Sequence, residues 1–241
     1  MGFFNNISWC IGGGFKLNLI SLRDFVNLVS WVPLTFFLVI FFITGTILVV
    51  IKDWRASVGA FLLQYLSMGL VLARLVRPEV AFAKVLVGLF ICVIMYLSAR
   101  QASWRHKLTS ASIGLHILLG TRVVAGEVFP PGRAFRLMTV LLMGITAVSL
   151  GQNYPISTLP FVISIAVYWL CLAGFLLLIL SENPLKIGQG LLTILIGFEL
   201  WYTTLEGSLI VVGLWGSVNL ILALAVGYLA TVRSVILEED F

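Results

Sequence analysis

Charged residues are scarce in this sequence. Asp, Glu, Lys and Arg together make up 10% of the 241 residues, whereas 61% are hydrophobic. Because about a quarter of the residues in a soluble domain are charged, a soluble globular protein is excluded. The hydrophobic residues form blocks of about 18–25 residues, the length that crosses a hydrocarbon layer about 30 Å thick. The sequence therefore predicts an integral membrane protein.

Cysteines are few, and the motifs of enzymes are missing. Cys10, Cys92 and Cys171 lie far apart, without a metal or redox spacing. No Walker A motif, dinucleotide fingerprint or nucleophile–base pair is visible. The start of the chain has no charged stretch before a continuous apolar one, so a cleaved signal peptide is not expected. We expect no cofactor in this chain and no enzymatic activity from the chain on its own.

The net charge of +5 does not indicate binding to nucleic acid, because the cations lie between the apolar blocks. In such places Lys and Arg act as topology signals and contact anionic lipid. The lipid bilayer is therefore a predicted partner, and nucleic acid is not.

The blocks are solid rather than alternating in the ~10-residue pattern of a barrel, which predicts an all-α integral membrane protein. Seven transmembrane helices are predicted, at 27–51, 57–76, 80–98, 134–151, 159–181, 187–206 and 209–232. The long connection at 100–133 is predicted to be cytoplasmic or interfacial. Within it, 108–126 is interpreted as an interfacial or re-entrant helix, or alternatively as an eighth span.

A single transmembrane domain, 27–233, is thus predicted between an extracytoplasmic or interfacial segment, 1–26, and an acidic C-terminal tail, 234–241. The distribution of cations predicts its orientation. With the 100–136 region inside, ten cations lie on the inner side: Lys52, Arg55, Arg100, Arg105, Lys107, Arg122, Arg133, Arg136, Lys186 and Arg233. The outer side receives four: Lys16, Arg23, Arg74 and Arg77. The positive-inside rule then places the N-terminus outside and the C-terminus in the cytoplasm.

Three polar residues inside predicted spans are candidates for a functional role: Glu199, Lys84 and Asn219. An ionisable residue at mid-bilayer costs about 2.5–3.5 kcal/mol on insertion scales, and residues that carry this cost usually face the bundle interior and have a function. Glu199 lies near the middle of the sixth span, in LLTILIGFELWYTTLEG. Burial disfavours the charged form of a carboxyl group, so Glu199 is a candidate proton relay. The alternative is a permanently protonated Glu that locks helix packing.

The other candidates are open to more than one interpretation. Glu206, seven residues after Glu199 and on the same helix face, is a further relay candidate, but its boundary position favours a hydrated residue. Lys84 either snorkels outward or faces inward. Asn219 cannot relay protons by itself, and it is interpreted mainly as an interhelical hydrogen-bonding residue.

The segment 184–206, PLKIGQGLLTILIGFELWYTTLE, resembles the middle helix of complex I subunit K and of the small subunit of Mrp-type antiporters. The resemblance is carried by Asn183, Leu185 and Lys186 before the helix and by Leu195-Ile196-Gly197-Phe198-Glu199 within it. The predicted orientation of the last three spans is also that of this family.

The first half, RASVGAFLLQYLSMGLVLARLV and FAKVLVGLFICVIMYLSARQ, is similar to the second and third helices of hydrogenase-4 component E. The matching residues are Arg55, Ser57, Gly59, Gln64, Leu66, Lys84-Val85-Leu86, Met95-Tyr96 and Ala99-Arg100. The two resemblances together cover about 50–233, nearly the whole membrane part.

These resemblances imply a subunit of a complex I-like, group 4 hydrogenase or Mrp-like assembly in a prokaryotic cytoplasmic membrane. Antiporter-like and other membrane subunits would be its partners, and any Fe–S, Ni–Fe or quinone site would lie in them. Glu199 would be the principal carboxylate of a midplane polar axis, with Lys84 as a second ionisable member. The family normally has an acid in the last helix, where this chain has Asn219.

The sequence therefore leads to a first hypothesis of a subunit that helps to translocate protons or cations past Glu199. A structural subunit that keeps the fold without conducting ions is the alternative. A stand-alone transporter is a third hypothesis, but no inverted repeat or broken-helix pair is visible.

Overall fold

The computed structural model describes residues 33–51, 53–76, 78–118 and 132–239. Within these ranges the chain forms seven α-helices and no β-strand: α1 Leu34–Val50, α2 Trp54–Leu75, α3 Pro78–Leu118, α4 Arg133–Asn153, α5 Phe161–Leu180, α6 Pro184–Leu205 and α7 Leu209–Glu239. Each helix overlaps one predicted span, and the predicted all-α class is confirmed for the described residues. The predicted N-terminal segment, 1–26, lies outside them.

Five of the described helices are long and apolar enough to cross a membrane: α2, Glu79–Gln101 of α3, Ala134–Asn153 of α4, α5 and Leu209–Val232 of α7. Helix α1 is apolar but has 17 residues. Helix α6 has 22 residues, and its apolar run is interrupted by Lys186, Gln189 and Glu199. The chain is therefore a multi-pass helical membrane protein by the length and composition of its helices.

The third helix extends well beyond its predicted span. Helix α3 has 41 residues and includes the first part of the predicted connection, up to Leu118. At ~1.5 Å per residue, the helical residues after Gln101 add about 25 Å. The described part of 108–126 thus continues α3 instead of starting a separate interfacial, re-entrant or crossing helix, and 119–126 lie outside the described residues. In the same way, 234–239 of the predicted tail belong to α7.

Six helices form a closed ring in the order α1, α2, α3, α7, α6, α5, in which each helix packs against the next and α5 returns to α1. Helix α2 also contacts α6 across the ring, whereas α4 packs outside it against α1 and α5. Helix α6 therefore packs extensively against three neighbours, α5, α7 and α2. This arrangement encloses a helix with five buried polar side chains: Lys186, Gln189, Thr193, Glu199 and Thr203.

Glycines allow the backbones of α5 and α6 to touch. A Cβ atom at Gly174 would lie 2.7 Å from the carbonyl oxygen of Gly190, and one at Gly190 would lie 2.9 Å from the carbonyl oxygen of Gly174. Farther along α6, a Cβ atom at Gly197 would lie 3.1 Å from the Cβ of Leu170. Small residues at such contacts permit close helix packing in membranes. They determine which face of α6 points toward α5.

Two buried cations cap helix ends at one end of the bundle. The Arg136 guanidinium donates hydrogen bonds to the carbonyl oxygens of Val49, at 3.1 Å, and Leu180, at 3.2 Å. The Lys186 ammonium donates to the carbonyl oxygens of Leu48 and Ile51. Cations at helix C-termini satisfy carbonyl groups that have no intrahelical partner. The sequence predicts both residues as cytoplasmic topology signals, and the structure shows that they also join α1, α4, α5 and α6.

Replacing Arg136 with Met is expected to lower the free energy of unfolding by about 1.5–3 kcal/mol, because hydrogen bonds to a charged donor contribute about that much. Unfolding in mixed detergent–SDS micelles would measure the change. Arg100→Met is the matched control, because Arg100 is exposed near the end of the third span. Equal stability of the two variants would contradict a capping role for Arg136.

Candidate functional site

A buried ion pair joins α3 to α6. The Lys84 ammonium nitrogen lies 2.8 Å from Oε1 of Glu199, and the two side chains are 2% and 0% exposed. The Lys84 side chain therefore points into the bundle interior, and the alternative in which it snorkels outward does not hold. Two of the residues that the sequence marks by their cost in a membrane thus meet each other.

Asn219 of α7 completes the site. Its side-chain amide nitrogen donates a 2.8 Å hydrogen bond to the same Glu199 oxygen, Oε1. Asn219 is fully buried. We refer to Lys84, Glu199 and Asn219 as the Lys84–Glu199–Asn219 cluster, which lies where α3, α6 and α7 converge inside the ring.

Close helix contacts place these side chains. Glu199 follows Gly197 by two residues, or about 200° around the helix, so the glycine face toward α5 leaves Glu199 pointing away from α5. On the opposite side, α3 and α7 are held together by glycines of α7. A Cβ atom at Gly216 would lie 3.1 Å from Cγ2 of Val87, and one at Gly227 would lie 2.6 Å from Oγ of Ser98. The three helices therefore meet on the side where Glu199 projects.

The hydrogen bonding of the cluster is uneven. Lys84 and Asn219 both contact Oε1 of Glu199. Oε2 of Glu199 and Oδ1 of Asn219 are buried and make no hydrogen bond to any residue that the structure describes. The carboxyl group thus has one oxygen, Oε1, that accepts a hydrogen bond from Asn219 and pairs with the Lys84 ammonium, and a second oxygen, Oε2, that can accept a proton or a hydrogen bond from water. Because the two ionisable groups touch, protonation of either one is coupled to the other.

Tyr65 of α2 is a neighbour of the cluster that the sequence analysis does not identify. Its side chain is 3% exposed, and it lies close enough to Glu199 to interact with it electrostatically. Its ring packs against Gly88, one turn after Lys84, where a Cβ atom would lie 2.6 Å from the ring. The Tyr65 hydroxyl makes no hydrogen bond within the described ranges. Aromatic residues are common inside spans, so the sequence gives no sign that Tyr65 lies beside the cluster.

Uncharged polar side chains line the contact between α2 and α6. The Ser57 hydroxyl donates a 2.5 Å hydrogen bond to the side-chain oxygen of Gln189. Gln64 is fully buried, and in the sequence Ser57 and Gln64 stand out only through the resemblance to hydrogenase-4 component E. Their spacing of seven residues on one helix face is a signal that could have identified them as part of a site.

Glu206 does not join the cluster. It is the C-cap of α6, where its backbone N–H donates to the carbonyl oxygen of Tyr202, and its side chain is exposed. This position agrees with the interpretation of Glu206 as a hydrated boundary residue. Of the four relay candidates, the structure thus brings together three.

Comparison with known proteins identifies no relative for this arrangement. No protein-family model, no curated protein and no solved structure matches the chain.

Proposed function

We propose that the protein is a membrane subunit of a larger ion-translocating assembly, in which Glu199 carries a proton through the middle of the bundle. The observation that supports this proposal best is the Lys84–Glu199 pair, which is 2.8 Å long and almost completely buried. Ionisable residues inside membrane bundles usually mark ion pathways and proton relays. The chain has no proposed cofactor ligand, so the driving reaction belongs to partner subunits.

The chemistry of the pair suits a proton carrier. Lys84 stabilises the carboxylate form of Glu199, and the unpartnered Oε2 of Glu199 can accept a proton. When that proton arrives, Lys84 loses its counter-charge and is in turn biased to release a proton, because the two groups titrate together. The Asn219 amide donates to Oε1 and so leaves Oε2 free to gain or lose the proton. A fixed carboxyl group with a movable proton is what a relay requires.

The proposed setting follows from the resemblance to complex I subunit K, Mrp small subunits and hydrogenase-4 component E. We propose seven spans in a prokaryotic cytoplasmic membrane, with the N-terminus outside and the C-terminus inside. Antiporter-like and other membrane subunits of the same assembly are the proposed partners, and these would contain any Fe–S, Ni–Fe or quinone site. The outward faces of α4 and α7 offer apolar area for such neighbours or for lipid. Their exposed side chains include Phe135, Met138, Leu141, Ile145, Ile210, Leu214, Ile221 and Leu224.

The second candidate function is a structural subunit that does not conduct ions. The observation that favours it is that Lys84 and Asn219 both contact one Glu199 oxygen. Such an arrangement can also serve as a fixed lock among α3, α6 and α7, because interhelical polar contacts stabilise membrane bundles. The two functions differ in whether proton movement depends on the carboxyl group itself.

A set of Glu199 variants distinguishes the two functions. The complex is purified through a tag on this chain, its other subunits are identified, and proton translocation is measured in liposomes with an enclosed pH dye. Glu199→Gln is expected to lower the rate by at least ~100-fold, as loss of a proton-transfer group typically does. The double variant Lys84→Met/Glu199→Gln should assemble normally but remain inactive, since it removes both charges and the proton carrier. Glu206→Gln is the matched control and should keep the full rate.

The opposite outcome is equally clear. If both Glu199 variants assemble and translocate protons at the unmodified rate, the relay function is wrong and the structural function is selected. Subunits with no relation to a redox or antiporter assembly would contradict the proposed setting.

A further inference from the structure

The buried polar side chains continue from the cluster along the contact between α2 and α6. They comprise Ser57 and Gln64 of α2 and Gln189 and Thr193 of α6, each of which is at most 2% exposed. We call them the α2–α6 polar file. The Thr193 hydroxyl donates a hydrogen bond to the main-chain carbonyl oxygen of Gln189. The side-chain oxygen of Gln189 accepts a hydrogen bond from the Ser57 hydroxyl. Gln189 is therefore bonded to Ser57 across the helix contact and to Thr193 within α6.

The register of the two helices places Gln64 between the rest of the file and Glu199. Near their N-terminal ends, Ser57 and Gln189 are joined by a 2.5 Å hydrogen bond. Near their C-terminal ends, a Cβ atom at Gly207 would lie 2.7 Å from Val76. The two helices thus run parallel with almost the same residue offset at both ends. Gln64 lies at the level of Ile196, three residues or about 4.5 Å along the axis from Thr193 and from Glu199.

Gln64 is a polar side chain with no hydrogen-bonding partner among the described residues. It is 0% exposed, and neither its amide nitrogen nor its amide oxygen makes a hydrogen bond there. A buried amide without a partner is unfavourable, and buried polar groups of this kind are commonly satisfied by internal water. The Tyr65 hydroxyl and Oε2 of Glu199 are also buried without a hydrogen-bonding partner among the described residues. Three side chains of α2 and α6 therefore carry buried polar atoms that water could satisfy: Gln64, Tyr65 and Glu199.

The polar file extends from the cluster in one direction. Toward the other end of α2, the buried side chains after Tyr65 are Ser67, whose hydroxyl donates to the carbonyl oxygen of Leu63 in the same helix, and the apolar Met68, Val71 and Leu72. On α6, Thr203 is the buried polar residue on that side. The file instead leads to the N-terminal ends of α2 and α6, where Lys186 binds the carbonyl groups at the end of α1. Polar side chains therefore lie between the N-terminal ends of α2 and α6 and Glu199.

We propose that the α2–α6 polar file is a water-accessible route by which protons reach Glu199 from the N-terminal ends of α2 and α6. The role of protons in this inference rests on the proposed function, whereas the entry of water does not. Each hydroxyl group or water accepts one proton and releases another, so that no group in the file changes its net charge. Gln64 is a positioning residue that orients the water between Thr193 and the carboxyl group.

Site-directed cysteines test the route in the assembled complex. In a variant without Cys10, Cys92 and Cys171, a cysteine is introduced at Gln64 or, separately, at Thr193. A small, membrane-impermeant cationic methanethiosulfonate is then added to right-side-out or inside-out vesicles. Gln64→Cys and Thr193→Cys are expected to react from the side of the α2 and α6 N-terminal ends only. Leu63→Cys is the matched control. Leu63 is next to Gln64 in the chain, but its side chain is 45% exposed on the outside of the bundle, so a cysteine there should not react.

Two outcomes overturn the route: neither file cysteine reacts, or both react only from the opposite side. Labelling of Thr193→Cys keeps the test valid if Gln64→Cys does not assemble. In addition, Gln64→Leu is expected to slow proton translocation about tenfold, and Gln64→Asn should recover part of the rate.

The route and the proposed function fail in different ways. If Glu199→Gln stops translocation but the file cysteines do not react, the route is wrong and the function stands. If the cysteines react but Glu199→Gln has no effect, water enters the file and the proton function is wrong.

Discussion

Replacing Lys84 with Met is expected to destabilise the bundle by about 3–5 kcal/mol, the range for breaking a buried ion pair by removal of one partner. Glu199 would then keep a buried carboxyl group whose nearest cation, 2.8 Å away, has been removed. It would have to remain as an isolated charge or take up a proton, and both are unfavourable relative to the pair. The free energy of unfolding in mixed detergent–SDS micelles, or trapping of the unfolded state, measures this effect.

The double variant Lys84→Met/Glu199→Gln should recover most of that stability. With both charges removed, the glutamine can still accept the hydrogen bond from Asn219, and replacing both members of a buried pair is often close to neutral. Glu206→Gln is the control for loss of a carboxylate at an exposed position of the same segment, with an expected change within about 0.5 kcal/mol. Additive single effects in the double variant would show that the two charges are not coupled in the folded protein.

Replacing Gly174 with Val is expected to destabilise the protein by about 3 kcal/mol or more, the upper part of the range for overpacking. The first atom of any side chain there would lie 2.7 Å from the carbonyl oxygen of Gly190 and 3.0 Å from the backbone nitrogen of Ile194. Backbone atoms cannot move aside as a flexible side chain can, so α5 and α6 would have to separate. Because Glu199 is carried by α6, proton translocation should fall together with stability.

Gly213→Val is the matched control for this experiment. Gly213 lies in α7, and a Cβ atom there would meet no other atom within 4 Å. Its expected change in unfolding free energy is within about 0.5 kcal/mol. Thermal stability of the detergent-purified protein compares the two variants directly. A Gly174→Val variant as stable as Gly213→Val would mean that α5 and α6 are not in backbone contact.

The positions of the helices could be predicted from the sequence because hydrocarbon requires a long apolar block for each crossing. The helical continuation of α3 to Leu118 could not. That stretch contains Arg105, Lys107 and other polar residues, which a hydropathy pattern assigns to a connection. Helix formation outside the hydrocarbon depends on propensity and packing rather than on apolar length.

Arg136 and Lys186 show a second limit of the sequence. Their positions beside apolar blocks predict that they act as topology signals, and the number of such cations on one side of the spans predicts the orientation of the chain. A cation at a span boundary can be hydrated, bound to lipid or bonded to protein carbonyl groups, and the residue type is the same in each case. The hydrogen bonds to Val49, Leu180, Leu48 and Ile51 depend on which helix ends are neighbours.

The sequence alone predicts that the protein lies in a membrane and that Glu199, Lys84 and Asn219 are candidate functional residues. It can do so because the cost of a polar group in hydrocarbon depends mainly on its place in a span. That Lys84 faces inward and meets Glu199 and Asn219 does not follow from it. The direction of a side chain depends on the rotation of its helix, which here is determined by contacts such as Gly190 on Gly174. The seven-residue spacing of Ser57 and Gln64 is visible in the sequence, but the contact of α2 with α6 and the approach of Tyr65 to the cluster depend on how the helices pack.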